Sequence, residues 1–101
     1  MRVIARSTLH KFVETLARKK DRAGVKTALE AWFHEVTRAE WKNAADVKKS
    51  YATASIIDAE RVVFNIKGNT YRLIVTIDYP YQRIYIKHIL THAQYDKDAW
   101  K

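Results

Sequence analysis

Two kinds of hydrophobic spacing divide this chain. Up to about residue 50 the apolar residues recur at helical intervals, and from Glu60 they recur at every second position. Leu9, Phe12, Val13 and Leu16 fall at i, i+3, i+4 and i+7, one face of an amphipathic helix. Ser7 suits its N-cap, because the hydroxyl can accept from an early backbone N–H. Arg18, Lys19 and Lys20 then lie near the C-terminal end of that helix, where cations suit the macrodipole. Gly24 punctuates, and Val25, Leu29, Trp32, Phe33 and Val36 mark the stripe of a second helix that ends near Ala39. Asn43 can cap a short third helical turn through Val47, and Val3 to Arg6 reads as a short first strand.

In the second half Val62, Phe64 and Ile66 alternate with Val63, Asn65 and Lys67, and Gly68-Asn69 signals a turn. Tyr71, Leu73, Val75 and Ile77 alternate with Arg72, Ile74 and Thr76, and Asp78-Tyr79-Pro80-Tyr81-Gln82 makes a second turn. Ile84, Ile86, His88 and Leu90 then alternate with Tyr85, Lys87 and Ile89, before a polar tail from Thr91 with room for one helical turn. Three strands with short connections make an antiparallel meander. Helices first and strands after predict an α+β fold, a single compact domain over 1–101 with the N-terminal helices packed on one face of the sheet.

The composition adds a direction. The chain has 101 residues, 48% of them hydrophobic, 2 glycines, 1 proline and no cysteine. That fits one domain standing on an apolar core, without disulfides, thiolate metal sites or a linker. No run approaches the roughly 18 apolar residues of a membrane span, and no signal peptide is evident, so a cytoplasmic protein with no membrane partner is expected. Nineteen Lys and Arg against 11 Asp and Glu give a net charge of +8. Residues 1–54 hold 12 basic and 6 acidic residues, a net +6, and the rest only 7 and 5, a net +2. A small, strongly basic domain favours an anionic partner. Arg18, Lys19 and Lys20, with Arg22 and Lys26, are the candidate cluster for docking on RNA.

On the expected sheet, Asn65, Lys67, Arg72 and Thr76 occupy the face opposite the helices. Lys67 and Arg72 flank the tight turn, Lys87 adds a third cation, and His92 and Tyr95 come after the last strand. Cations, a His and a Tyr around an open sheet face suit the cleavage of RNA, which carries its own nucleophile in the 2′-hydroxyl. The protein must orient that group, stabilise charge on the phosphorane and move two protons. Arg matches two phosphate oxygens with its fork, and His titrates near neutrality. The chain shows no carboxylate cluster of the two-metal kind, and no cofactor is expected. Each residue also has a plainer reading. A strand Lys or Arg is usually soluble surface, and His88 on the apolar series reads as a core or edge histidine. The spacing of His88 and His92 is metal-like, but a third ligand is missing. Trp32 and Phe33 read as core, Trp41 as packing at the helix–strand junction, and Trp100 as a loose tail residue. Tyr79, Tyr81 and Tyr85 read as strand tyrosines with base stacking as the alternative.

The run Arg61-Val62-Val63-Phe64-Asn65-Ile66-Lys67-Gly68-Asn69-Thr70-Tyr71-Arg72-Leu73, followed by Thr91-His92-Ala93-Gln94-Tyr95-Asp96, resembles the HigB family of bacterial toxins within the RelE-like superfamily. Ala31-Trp32-Phe33 and Asp46-Val47-Lys48-Lys49-Ser50-Tyr51 extend the resemblance from Ile4 to Lys97. It implies a RelE-like α+β domain acting as an mRNA interferase. Such an enzyme enters the ribosomal A site and cuts translated mRNA by metal-independent 2′-hydroxyl attack. It also implies a helix-turn-helix antitoxin of the HigA kind, with operator DNA met only through the toxin–antitoxin complex. By the same resemblance Arg72 stabilises the phosphate, while His92 and Tyr95 supply an acid, base or orienting group in interchangeable roles. Lys67 and Asn65 would contact the scissile phosphate or sugar, and Arg61 and Lys87 are further RNA contacts. Two other functions fit the same basic surface: a non-catalytic RNA- or ribosome-binding module, and a protein that only meets an acidic partner.

Overall fold

The computed structural model describes residues 1–15, 19–68, 70–97 and 100, with the side chain of Lys19 left aside. Its elements run β1 (Arg2–Ile4), α1 (Ser7–Thr15), α2 (Lys19–Arg38), α3 (Ala44–Ser50), β2 (Ser55–Ile56), β3 (Arg61–Ile66), β4 (Tyr71–Asp78), β5 (Arg83–Thr91) and α4 (His92–Asp96). The sheet has five strands in the order β1-β5-β4-β3-β2. The meander β3-β4-β5 is antiparallel as expected, and the α+β class holds. β1 joins its edge in parallel to β5, with Val3 beside Ile84, and β2 pairs with β3 at the other edge. A two-residue strand such as β2 carries too little alternation to be read from sequence.

The helices cover one sheet face. Val25, Leu29, Trp32 and Val36, the stripe of α2, are all buried against Phe64, Leu73, Val75 and Ile77. α2 is longer than the periodicity predicts, because Gly24 lies inside it and Lys19 begins it. The Lys19-Lys20 pair therefore sits at a helix start, not at the end of α1. The macrodipole there disfavours cations, and Asp21 in the same turn offsets them. Arg18 lies outside the described residues. At the far end of α2 the Met1 ammonium donates to the carbonyls of Val36, Thr37 and Ala39, at 2.8–3.1 Å. Those are the carbonyls a helix end leaves without internal partners.

An aromatic cluster closes the core between α2, α3 and the sheet. Trp41 stacks on Phe64 at 6.1 Å and 22°, while Tyr51 and Trp32 meet the same ring edge-on, at 5.0 and 5.5 Å. The Trp41 indole N–H donates to Ser50 Oγ. The Tyr51 hydroxyl bonds the Glu35 carboxylate, and burial with that neighbouring charge pushes its pKa up. α3 starts where Asn43 places it: the Asn43 side chain accepts from the Asp46 N–H, and the Asp46 carboxylate reaches back to the Lys42 N–H.

Phe64 is the shared partner of this cluster, so Phe64→Ala should leave a cavity that rigid rings cannot close. A loss of about 3–5 kcal/mol is expected from the denaturant midpoint. A loss under about 1 kcal/mol would show that the rings repack freely.

Candidate active site on the open sheet face

The face away from the helices is not a plain polar surface. Val63 and Ile74, cross-strand partners on it, are each only 1% exposed although they lie outside the helix-packed core. Beside them lies Arg72, 8% exposed, the one charged residue that is buried among the described residues. Its side chain leaves the helix-packed core as alternation predicts, but it is not in solvent. Arg72 Nη1 donates to the Tyr71 carbonyl at 3.3 Å, and the guanidinium carbon lies 5.6 Å from the centre of the Tyr95 ring. A buried guanidinium is costly to desolvate and is kept where its donors have partners.

β5 changes the composition of this face. Ile74 pairs with His88, but the next residue, Val75, pairs with Ile86, so Lys87 is an extra residue in a β-bulge. The bulge shifts the phase of alternation. Ile84, Ile86 and Ile89 face the core, while His88 and Leu90 join Ile74 and Arg72 on the open face. This corrects the placement of His88 and Leu90 in the apolar series. Lys87-His88 between two isoleucine phases was the sequence signal: two polar residues in a row cannot fit an unbroken period of two. Leu90 is the direct register partner of Arg72 and Asn65 its partner on the other side. His88 is then a diagonal neighbour, at about 7–8 Å between such positions.

α4 folds over the end of this face. Thr91 and Gln94 form a reciprocal capping box that starts the helix immediately after β5. The His92 N–H donates to the Thr70 carbonyl at 3.1 Å, tying α4 to the β3–β4 hairpin. His92 Nδ1 lies 2.9 Å from Asp96 Oδ2, one helical turn on. Tyr95 stacks on Trp100 at 5.0 Å and 12°, and the Trp100 indole N–H donates to the Tyr95 carbonyl. Trp100 is therefore docked, not loose. A groove of about 310 Å³ lies along α4, lined by His88, Leu90, Gln94, Lys97 and Trp100.

The structure thus brings Arg72, Asn65, Tyr95 and His92 to one end of the sheet. Lys67 is turned away from them. β3 ends at Ile66, Lys67 and Gly68 both adopt positive φ, and Lys67 Nζ reaches Asp21 in the first turn of α2 at 3.1 Å. The Tyr71 hydroxyl donates to the other oxygen of the same carboxylate at 3.3 Å. Left-handed φ at the turn breaks the alternation that puts Lys67 on the open face. Arg61 is held by Asp58 at 2.7 Å, and the hydrogen bonds from the Arg61 backbone and side chain lower the Asp58 carboxyl to about 2. Lys87 is exposed on the bulge, 5.8 Å from the Tyr85 ring. Lys20 is exposed on α2, on the helical layer, as is Lys26. Among the described residues no group of His, Asp and Glu is placed to hold a metal ion, and no helix is long and apolar enough to cross a membrane.

A five-stranded, mostly antiparallel sheet covered by helices on one face is consistent with a RelE-like fold. The sequence model of the HigB toxins, the RelE-like toxic component of a toxin–antitoxin system, matches residues 25–98, and the chain belongs to that family. No curated protein matches the chain closely enough to add to this. The matched span includes β3, β4, β5 and α4, and so the whole Arg72 end of the sheet. As a toxin of this family the chain has an antitoxin as its partner.

If Lys67 serves the fold through Asp21, then Lys67→Gln and Asp21→Asn should each lower stability by up to about 1 kcal/mol, since the lysine is partly exposed and screened. The double variant should lose less than both together. Strict additivity in a denaturant titration would mean that the pair contributes nothing.

Proposed function

We propose that this toxin is a ribosome-dependent mRNA interferase, acting as one domain over 1–101 and neutralised by a helix-turn-helix antitoxin of the HigA kind. It cuts translated mRNA in the ribosomal A site, arrests protein synthesis and growth in the cytoplasm, and meets operator DNA only in complex with its antitoxin. The observation that carries the proposal is Arg72. A guanidinium is held buried on the uncovered sheet face, next to Tyr95 and at the end of the sheet where His92 starts α4.

The chemistry needs no group that the chain lacks. The 2′-hydroxyl oxygen attacks the adjacent phosphorus in line, the bond to the 5′-oxygen breaks, and a 2′,3′-cyclic phosphate and a 5′-hydroxyl result. Arg72 binds the non-bridging oxygens, whose charge grows in the phosphorane, and a donor already fixed in a low-dielectric site does this without reorganisation. One group removes the 2′-hydroxyl proton and another delivers a proton to the leaving 5′-oxygen. His92 suits one of these roles. Asp96 lies 2.9 Å from Nδ1 and favours the tautomer with its proton there, which leaves Nε2 as the nitrogen that exchanges a proton with substrate. Tyr95 orients Arg72 through its ring, and Asn65, the register partner of Arg72, contacts the sugar. His88 is a further candidate for the second proton. Lys67 acts as a positioning residue that holds the hairpin. Lys20 and Lys26, with Arg18 and Lys19 in the same stretch, supply attraction to ribosomal RNA, which weakens with salt. Arg61 and Lys87 lie at the margins of the open face.

Arg72→Lys keeps the charge and most of the stem but loses the two-oxygen fork. Cleavage of a translated message is expected to fall about 10²–10³-fold with little change in melting temperature. Arg72→Ala should lose both activity and some stability, since the side chain is buried. The products of the native toxin should carry 2′,3′-cyclic phosphate ends. A 5′-phosphate product, or an Arg72→Lys toxin that cuts at the native rate, would overturn the mechanism. Ribosome binding without any cut, and without growth arrest, would favour the non-catalytic module.

A further inference from the structure

The proposed chemistry uses one end of the open sheet face and leaves its β1–β5 side without a role. We infer that Tyr81, Arg83, Tyr85 and Lys87, with Arg2 beside them on β1, form a second contact for single-stranded RNA, holding the stretch that runs along the sheet away from the phosphate on Arg72. This contact rests on the proposed function in one respect, that RNA is the ligand of the open face.

Alternation along β5 aligns the row. Ile84 and Ile86 face the core, so Arg83 and Tyr85 face the other way, and Lys87 is the exposed residue of the bulge. The Arg83 guanidinium carbon lies 5.3 Å from the centre of the Tyr81 ring, and Lys87 Nζ lies 5.8 Å from that of Tyr85. Cations and rings thus alternate on one side of the sheet. That combination grips single strands, because rings and guanidinium planes stack bases while the charges meet phosphates. The row also has the right reach. Arg72 pairs with Leu90 and Asp78 with Arg83, so the row ends six residues of β4 away from Arg72, roughly 20 Å, room for a few nucleotides.

Stability does not account for these residues. Arg2 and Arg83 are register partners on neighbouring strands, and like charges side by side repel. Among the described residues neither forms an ion pair, and nor does Lys87. Tyr81 is 70% exposed. Charges alone would guard an edge strand against pairing with another chain, and a tyrosine ring held in water adds nothing to that guard. Carboxylates set the path. Glu60, whose carbonyl accepts from the Ile77 N–H, and Asp78 lie at the far end of the face on its β3–β4 side. A phosphate chain leaving Arg72 is repelled from that side and drawn over β5 and β1.

The isolated toxin, without ribosomes, should be titrated into a short fluorescein-labelled 2′-O-methyl oligouridylate, which it cannot cut, and followed by anisotropy. Saturable binding that weakens with salt is expected. Arg2→Gln combined with Arg83→Gln removes two phosphate contacts and should flatten the slope of log affinity against log salt by about 1.4. That variant should melt no lower than the native toxin, since it removes a repulsion. Tyr81→Ala should weaken binding about tenfold, the order of one stacking contact. Lys11→Gln combined with Lys49→Gln, the same loss of charge on α1 and α3, should change it less than about twofold at physiological salt. Absence of binding, or an arginine variant that matches this lysine control in affinity and slope, would overturn the inference. Tighter binding of polyglutamate than of the RNA would also overturn it and make the row a protein contact. In a translating system the arginine variant should need about tenfold more toxin for half-maximal cleavage, yet cut at the native rate when saturating. An unchanged half-maximal concentration would sink the second contact while leaving the cleavage reading standing. RNA binding that depends on Arg2 and Arg83, in a toxin that cuts no RNA, would do the reverse.

Discussion

One extra residue in β5 decides which side chains meet Arg72. A strand presents alternate residues to its two faces, so any insertion exchanges the facing of every later residue. Without the bulge at Lys87, the residues from His88 onward would sit in the opposite phase. Ile89 would then face solvent and His88 would face the aromatic core. With it, Ile89 completes the core under the helices, and His88 and Leu90 join the open face at the Arg72 end. The register there also fixes where α4 starts, since Thr91, its cap, is the last residue of the strand. The position of His92 and Tyr95 relative to Arg72 is thus set by a backbone irregularity several residues away.

The fold was largely legible because its signals are strong and local. The 25-29-32-36 stripe of α2, the Asn43 cap and the alternation through β3 and β4 each correspond to one physical preference, and the structure realises them. Arg72, His92 and Tyr95 were legible as a group, because one strand position and the helix just after the next strand leave little freedom in where they lie. What escaped were features that depend on contacts distant in sequence. Lys67 leaves the sheet because Asp21, 46 residues earlier, receives it and the turn takes positive φ. Trp100 docks through a ring that is itself positioned by a helix cap. The bulge was visible as two adjacent polar residues, yet an alternation argument that expects a period of two passes over a single skipped beat.

The two faces divide the work of the molecule. The helix-covered face supplies nearly all the apolar burial, with Phe64 and the α2 stripe at its centre. The other face is free to hold groups that stability alone would not select: a buried guanidinium, and a His–Asp pair on a helix of five residues. Val63 and Ile74 give that face a dry floor, so the charge of Arg72 acts in a medium less screening than water.

The placement of β1 has a consequence for a toxin made by the machinery it is proposed to attack. β1 precedes the other eight elements described in order along the chain, yet its neighbour in the sheet is β5, which follows the other four strands. The Arg72 end likewise needs β5 and α4, which follow the helices, β3 and β4 in the chain. A nascent chain that has released the helices and β3 still lacks the strand that closes the sheet on one side and the helix that shapes the open face. Pairing between such distant segments comes late because the intervening chain must first be ordered. The open face around Arg72 is thus completed only once β5 and α4 have joined the sheet.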